Sequence, residues 1–293
     1  MNAVLTDARR GHAGLFWMAV GCAALAVVIV GLAVIDQRTL LGAPLWFKPL
    51  KFALSFTLYC GVLAWMLGQL PKPAMRRSGW VIIVAAVIEL AIIIRQAARG
   101  VRSHFNDDSL ADALLYSAMG ATVVVLWLAT LAIALRFLRE PGRDRAATTA
   151  IRLGLAVGLV GLAEGFLMTL DDAHAVGVPD GGPGLFLIGW STTGGDLRIA
   201  HFVGMHALQI LPLLAAGLAA FARRLDESTR ARLIRVAGAG YLGRVVLLAW
   251  QALRAQPLLS PDALTLAMFA LLVLGVAAGA AAAVRTSRRP LAI

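Results

Sequence analysis

The sequence predicts an all-α fold: a polytopic integral membrane bundle of eight transmembrane helices, with the N-terminus and the C-terminus both cytoplasmic. Three observations carry that expectation. Of 293 residues, 60% are hydrophobic and only 15% charged, giving a mean hydropathy of +0.80. Eight apolar runs reach about 18 residues or more, the length that crosses a hydrocarbon layer of roughly 30 Å. Basic residues concentrate in alternate connections, as they do in loops facing the cytoplasm. So little chain remains between the runs that residues 1–293 read as one transmembrane domain.

The runs cover 14–35, 50–70, 79–97, 111–138, 150–170, 201–222, 236–253 and 263–284. The first follows Arg9 and Arg10, as a signal peptide would. Its apolar stretch exceeds the roughly 7–15 residues of a cleavable segment, and Asp36-Gln37-Arg38 offers no small-residue cleavage site, so it reads as a retained helix. Cys22 and Cys60 both fall within spans, which excludes a disulfide framework outside the membrane. The connection 36–49 mixes Pro44, Trp46, Phe47, Lys48 and Pro49, a composition suited to anchoring at the lipid–water boundary. The connection 171–200 is longer and rich in glycine and proline around the apolar patch Leu185-Phe186-Leu187-Ile188-Gly189-Trp190. Gly and Pro punctuate turns, and the patch needs something to cover it, so this segment is expected to fold as an outer lid.

With the N-terminus inside, 18 of the 27 Lys and Arg residues fall on inner segments, among them Lys72, Arg143, Arg288 and Arg289. Eight fall outside and Arg244 lies mid-span. Nine of the 16 acids are outside. The net charge of +11 is therefore a property of the inner face. Spread over short loops, it orients helices and contacts anionic lipid. The expected partner is the bilayer of a cell inner (cytoplasmic) membrane, not nucleic acid.

Ionisable groups inside hydrocarbon cost several kcal/mol unless paired or wetted, which makes each a candidate for function. Glu89, Glu164 and Arg244 are such groups. One reading is a buried ion pair joining Arg244 to either glutamate; the other is proton handling by the spare carboxyl. Beyond Glu89, a helix continuing past residue 97 would align Arg95, Arg99, Arg102 and Asn106 on one face. Guanidinium forks on the outer side suit a carboxylate or phosphate, so these arginines form a candidate clamp for a small anionic ligand.

Four of five histidines, His104, His174, His201 and His206, also fall on the outer side, with Asp171, Asp172 and Asp196. His201 and His206 are five apart, which turns their imidazoles about 140° from each other on a regular helix. Each needs partners from elsewhere; Gln209 lies one turn beyond His206. Imidazoles with carboxylates at one depth suit a transition metal, or a haem b with axial histidines. The row Gly154, Gly158, Gly161 and Gly165 either leaves room for a macrocycle or packs another helix closely. Asp196 either caps the sixth span or orients His201.

Two functions emerge as expectations. The first is a metal- or haem-binding protein with its site at the outer mouth, acting as a membrane oxidoreductase. There His206, His201, His104 and His174 are ligands and Asp171, Asp172, Asp196 and Gln209 support them. The second is a proton-coupled transporter of a small anionic substrate using Glu89, Glu164 and Arg244.

Overall fold

The computed structural model describes residues 2–70, 74–140 and 144–285. Lys72, Arg143, Arg288 and Arg289, all inner basic residues by the charge pattern, lie outside the described residues. The described chain is built from α1 (Asn2–Ile35), α2 (Phe47–Gly68), α3 (Arg76–Arg99), α4 (Leu110–Arg139), α5 (Arg145–Glu164), α6 (Leu197–Met205), α7 (Ala207–Phe221), α8 (Glu227–Leu253) and α9 (Ala263–Arg285). A 3-10 turn, Gly165–Thr169, comes after α5. Four two-residue strands form two antiparallel pairs: β1 (Thr39–Leu40) with β2 (Ala43–Pro44) in a tight hairpin, and β3 (Ala175–Val176) with β4 (Gly195–Asp196) across a long loop.

Among the described residues, seven helices (α1 to α5, α8 and α9) are long and apolar enough to cross a membrane, and the protein is multi-pass. The run expected as one sixth helix is instead two, α6 and α7, bent by 42° around His206. The chain divides into two compact units. The first holds α1 to α3, α4 as far as Arg136, and the short segments Asp180–Gly182 and Phe186–Gly189. The second holds the rest.

In the first unit, Leu15, Ala19, Cys22, Ala26 and Ile29 of α1 are buried. Their alternating spacings of four and three make one helical face, and Cys22, Ala26 and Ile29 share a cluster with Ala53 of α2 and Leu90 and Ala97 of α3. At Gly11 and Gly68 the two helices meet backbone to backbone: a Cβ on Gly11 would stand 2.1 Å from the Ala64 carbonyl oxygen. Next to Gly11, α1 is interrupted at His12, whose backbone is extended (φ −158°, ψ 96°). The ring repairs the break. Its Nδ1 accepts from the Leu15 amide at 3.0 Å, and its Nε2 donates to the Arg76 carbonyl at 3.1 Å.

The connection 36–49 is more than an anchor. The β1–β2 hairpin turns through Leu41 and Gly42, and the indole of Trp46 is buried and donates to Asp36 at 2.9 Å. Arg38 binds the same carboxylate at 2.7 Å and reaches the Ala98 carbonyl at 3.3 Å. The Arg38 guanidinium, then the Trp46 N–H, hold the Asp36 carboxyl well below the usual carboxylate range. α3 stops at Arg99 because Gly100 takes a left-handed conformation (φ 75°) and returns its amide to the Ala97 carbonyl.

In the second unit, α5 is capped by Asp144, which accepts from the Ala147 amide at 2.6 Å. α8 is capped in the same way by Asp226, accepting from Thr229 at 2.6 Å. The buried face Ala150, Val157, Ala207, Leu211, Ala231, Ile234 and Val245 joins α5, α7 and α8. α9 packs antiparallel on α8 by apolar side chains over glycines: Val276 over Gly240, Leu272 over Gly243 and Val236 over Gly279.

Candidate functional site

The break between α6 and α7 is where the second unit gathers polar side chains. His206 closes α6 and opens α7; its Nδ1 lies 3.3 Å from the Gln209 side-chain oxygen, and the Phe202 ring stands edge-on with centroids 4.3 Å apart. Five residues earlier, His201 turns to α5 and places its Nδ1 2.7 Å from the Gly161 carbonyl oxygen. A carbonyl only accepts, so that nitrogen carries the hydrogen, and in the neutral ring Nε2 keeps its lone pair. The five-residue spacing thus turns the two imidazoles to different partners, as expected, though they remain within electrostatic reach of each other.

Glycine makes this close approach possible. A Cβ on Gly161 would stand 2.3 Å from the Gly204 carbonyl carbon, and one on Gly165 would stand 3.3 Å from the His201 ring. Gly154 and Gly158 meet Ala207 and Leu208 likewise. The glycine row is therefore filled by α6 and α7, not left open for a macrocycle. Glu164 occupies the same turn of α5 as Gly161 and Gly165. Its Oε2 is buried and has no hydrogen-bond partner among the described residues. On the other side, the Tyr241 hydroxyl of α8 donates to the Val203 carbonyl at 2.7 Å, bracing the half-helix before the break.

The loop 171–200 is folded. β3 pairs with β4, Gly184 bridges to Ser191, and Trp190 packs against Phe202 at 5.7 Å. Phe186 and Leu187 remain exposed. Asp196 is fully buried and caps α6: it accepts from the Arg198 and Ser191 amides and binds the Arg198 guanidinium at 2.5 Å. Capping, not orientation of His201, is its observed contact. Asp171 and Asp172 are exposed at the start of the loop, and the His174 carbonyl accepts from the Leu197 amide at 3.0 Å.

In the first unit Glu89 is buried in α3. Its Oε1 accepts from the Thr122 hydroxyl of α4 at 2.7 Å, its Oε2 has no hydrogen-bond partner among the described residues, and Lys48 lies within electrostatic reach. The arginine ladder does not continue beyond Arg99, because the helix ends there and Arg102 lies in the turn after it. Arg99 binds Asp112 of α4 and the Gln96 side chain, and Gln96 and Ser109 both donate to Asp112 at 2.7 Å. Arg95 donates to Gln96 at 3.3 Å and Arg102 approaches Asp108 at 4.0 Å. These arginines are engaged by the protein's own side chains rather than held open as a clamp. His104 sits among Phe52, Phe105 and Tyr116, with Nδ1 3.1 Å from the Ser103 hydroxyl.

Arg244 forms no ion pair or hydrogen bond among the described residues; Tyr241 is its electrostatic neighbour. It is exposed on α8, at a groove shared with α9. The buried ion pair with a glutamate is therefore absent among the described residues. No group of three or more His, Cys, Asp or Glu side chains converges as a metal site among them either. His12, Asp112 and Tyr241 contribute local structure that the sequence did not single out. Tyr241 carried the one usable signal, since a mid-span hydroxyl has to find an acceptor. No family model, curated protein or solved structure matches the chain.

Proposed function

We propose that the protein is a proton-coupled carrier of an anionic substrate in a cell inner membrane, with Glu164 and His201 as its proton-exchanging pair. One observation carries the reading: a membrane-buried carboxyl oxygen without a hydrogen-bond partner among the described residues stands on the helical turn that holds His201, beside a broken span. A carboxyl oxygen in that position requires a proton, a cation or water. His201 Nε2 is the bare nitrogen. A proton relayed by water between Glu164 and Nε2 leaves a carboxylate and an imidazolium; its return restores two neutral groups. Broken spans near polar sites are a recurring device of carriers, because a short half-helix can move against its neighbour. Glu89 is a second buried carboxyl of the same kind in the first unit, and Arg244 is the cation for the anion.

Haem b or a transition metal, and with it an oxidoreductase, is supported less well. Among the described residues the donors do not converge, and the glycine row is filled.

The test uses proteoliposomes enclosing a pH-sensitive dye, with lactate or decanesulfonate added outside. Proton entry with either anion is expected to exceed that of protein-free vesicles. Glu164→Gln should slow it roughly tenfold or more, the effect of about 1.4 kcal/mol in a barrier. Entry no faster than in protein-free vesicles with both anions, or an undiminished rate in folded Glu164→Gln, overturns the reading.

A further inference from the structure

The groove beside Arg244 specifies what kind of anion is held. We propose that it binds a single-chain amphipathic carboxylate, with the carboxylate on the Arg244 guanidinium and the alkyl chain along α9. This deepens the carrier reading and rests on it only for the transport step after binding.

Depth is the first argument. Arg244 lies nine residues from Arg235 and nine from Leu253, about 13 to 14 Å from each at 1.5 Å per residue. In a hydrocarbon layer of roughly 30 Å that is the midplane. A charge there has to be paired or wetted, yet Arg244 forms no ion pair or hydrogen bond among the described residues, and it is exposed. The phosphate of a bilayer lipid stays at the boundary, about half that thickness away. A carboxylate on a single flexible chain can be drawn in to reach it.

Shape is the second argument. Ala277 and Ala280 of α9 keep the groove open where larger side chains would close it, while Phe269, Val273 and Val276, the last packed over Gly240, line it. From Phe269 to Ala280 the α9 lining covers eleven steps, about 16 Å. Every lining residue other than Arg244 is apolar or glycine, so the site offers one cationic fork and a greasy trough. A carboxylate accepts both arms of that fork, and the trough suits a chain without further polar groups.

The probe is dodecanoate carrying a photoactivatable diazirine on its chain, applied to the purified full-length protein in detergent and read by peptide mass spectrometry. Adducts are expected on α9 between Phe269 and Ala280. Arg244→Gln should reduce labelling about tenfold, Arg244→Lys should retain part of it, and Glu164→Gln should leave it unchanged. On the wild-type protein, unlabelled dodecanoate should compete while uncharged dodecanol does not. Equal competition by dodecanol, or equal labelling of Arg244→Gln, overturns the site. Competition by phosphatidylglycerol as strong as that of dodecanoate overturns it in favour of a bilayer lipid. Binding that fails while lactate still drives proton entry removes this site and leaves the carrier reading standing; loss of proton entry with labelling intact does the reverse.

Discussion

At the scale of single residues, most described polar groups have a local partner, and the groups on which the proposed function rests are among the exceptions. Asp36, Asp112, Asp196 and Asp262 each carry an arginine. Among the described residues, Glu89 and Glu164 each keep one buried oxygen without a hydrogen bond, and Arg244 keeps a whole guanidinium. The paired acids outside the spans make stability depend on pH in the acid range. Asp36 titrates below its unfolded value because Arg38, and then Trp46, hydrogen-bond the carboxylate. Asp262 does so because of Arg254, and Asp226 because of the Thr229 amide. A group whose folded value is depressed stabilises the fold above its unfolded pKa, about 3.9 for aspartate. That contribution is lost as pH falls below it towards the folded value. Thermal unfolding of the detergent-solubilised protein should therefore show Asp36→Asn less stable than wild type at pH 7. The difference should shrink below about pH 4; a difference that stays constant down to about pH 3 would contradict this assignment.

At the scale of elements, glycine decides where helices touch. α5 and α6 cross at Gly161 and Gly204 with no space for a methyl group, and that contact lets His201 reach the Gly161 carbonyl. Gly161→Ala should cost about 1–3 kcal/mol, the usual penalty of forcing extra volume into packed structure. Gly217 of α7 has no atom within 4 Å of a would-be Cβ. Gly217→Ala should be neutral or stabilising by up to about 1 kcal/mol, since alanine loses less backbone freedom in a helix. Unfolding midpoints of the two variants in one detergent test the pair, and equal midpoints would refute the packing argument. Helix ends obey the same local chemistry. Gly100 ends α3, which takes Arg102 off the helical face where a longer helix would have placed it.

At the scale of the whole molecule, the bent pair α6–α7 decides the parity of the chain. Counted as one span it gives eight crossings and puts both termini on one side; left uncounted, it gives seven and puts them on opposite sides. The excess of Lys and Arg in alternate loops favours the first. A fluorescent protein fused to the C-terminus should therefore mature in the cytoplasm, one fused to the N-terminus should do the same, and alkaline phosphatase inserted near residue 181 should be active outside. A dark C-terminal fusion with active phosphatase fused at the same end would leave seven spans.

Periodicity, hydropathy and charge, all local along the chain, determined that this protein is helical, membrane-spanning and rich in arginine in alternate connections. They also singled out Glu89, Glu164 and Arg244, because an ionisable residue in an apolar run is visible without knowing what surrounds it. Pairing was not visible. Asp112 rather than a ligand satisfies Arg99, glycines 154 to 165 receive α6 and α7 rather than a macrocycle, Asp196 caps its own helix, and Arg244 faces a groove instead of a glutamate. Each outcome depends on which helix lies opposite. That is set by the sum of many small contacts between residues distant in sequence, so only the tertiary structure decides it.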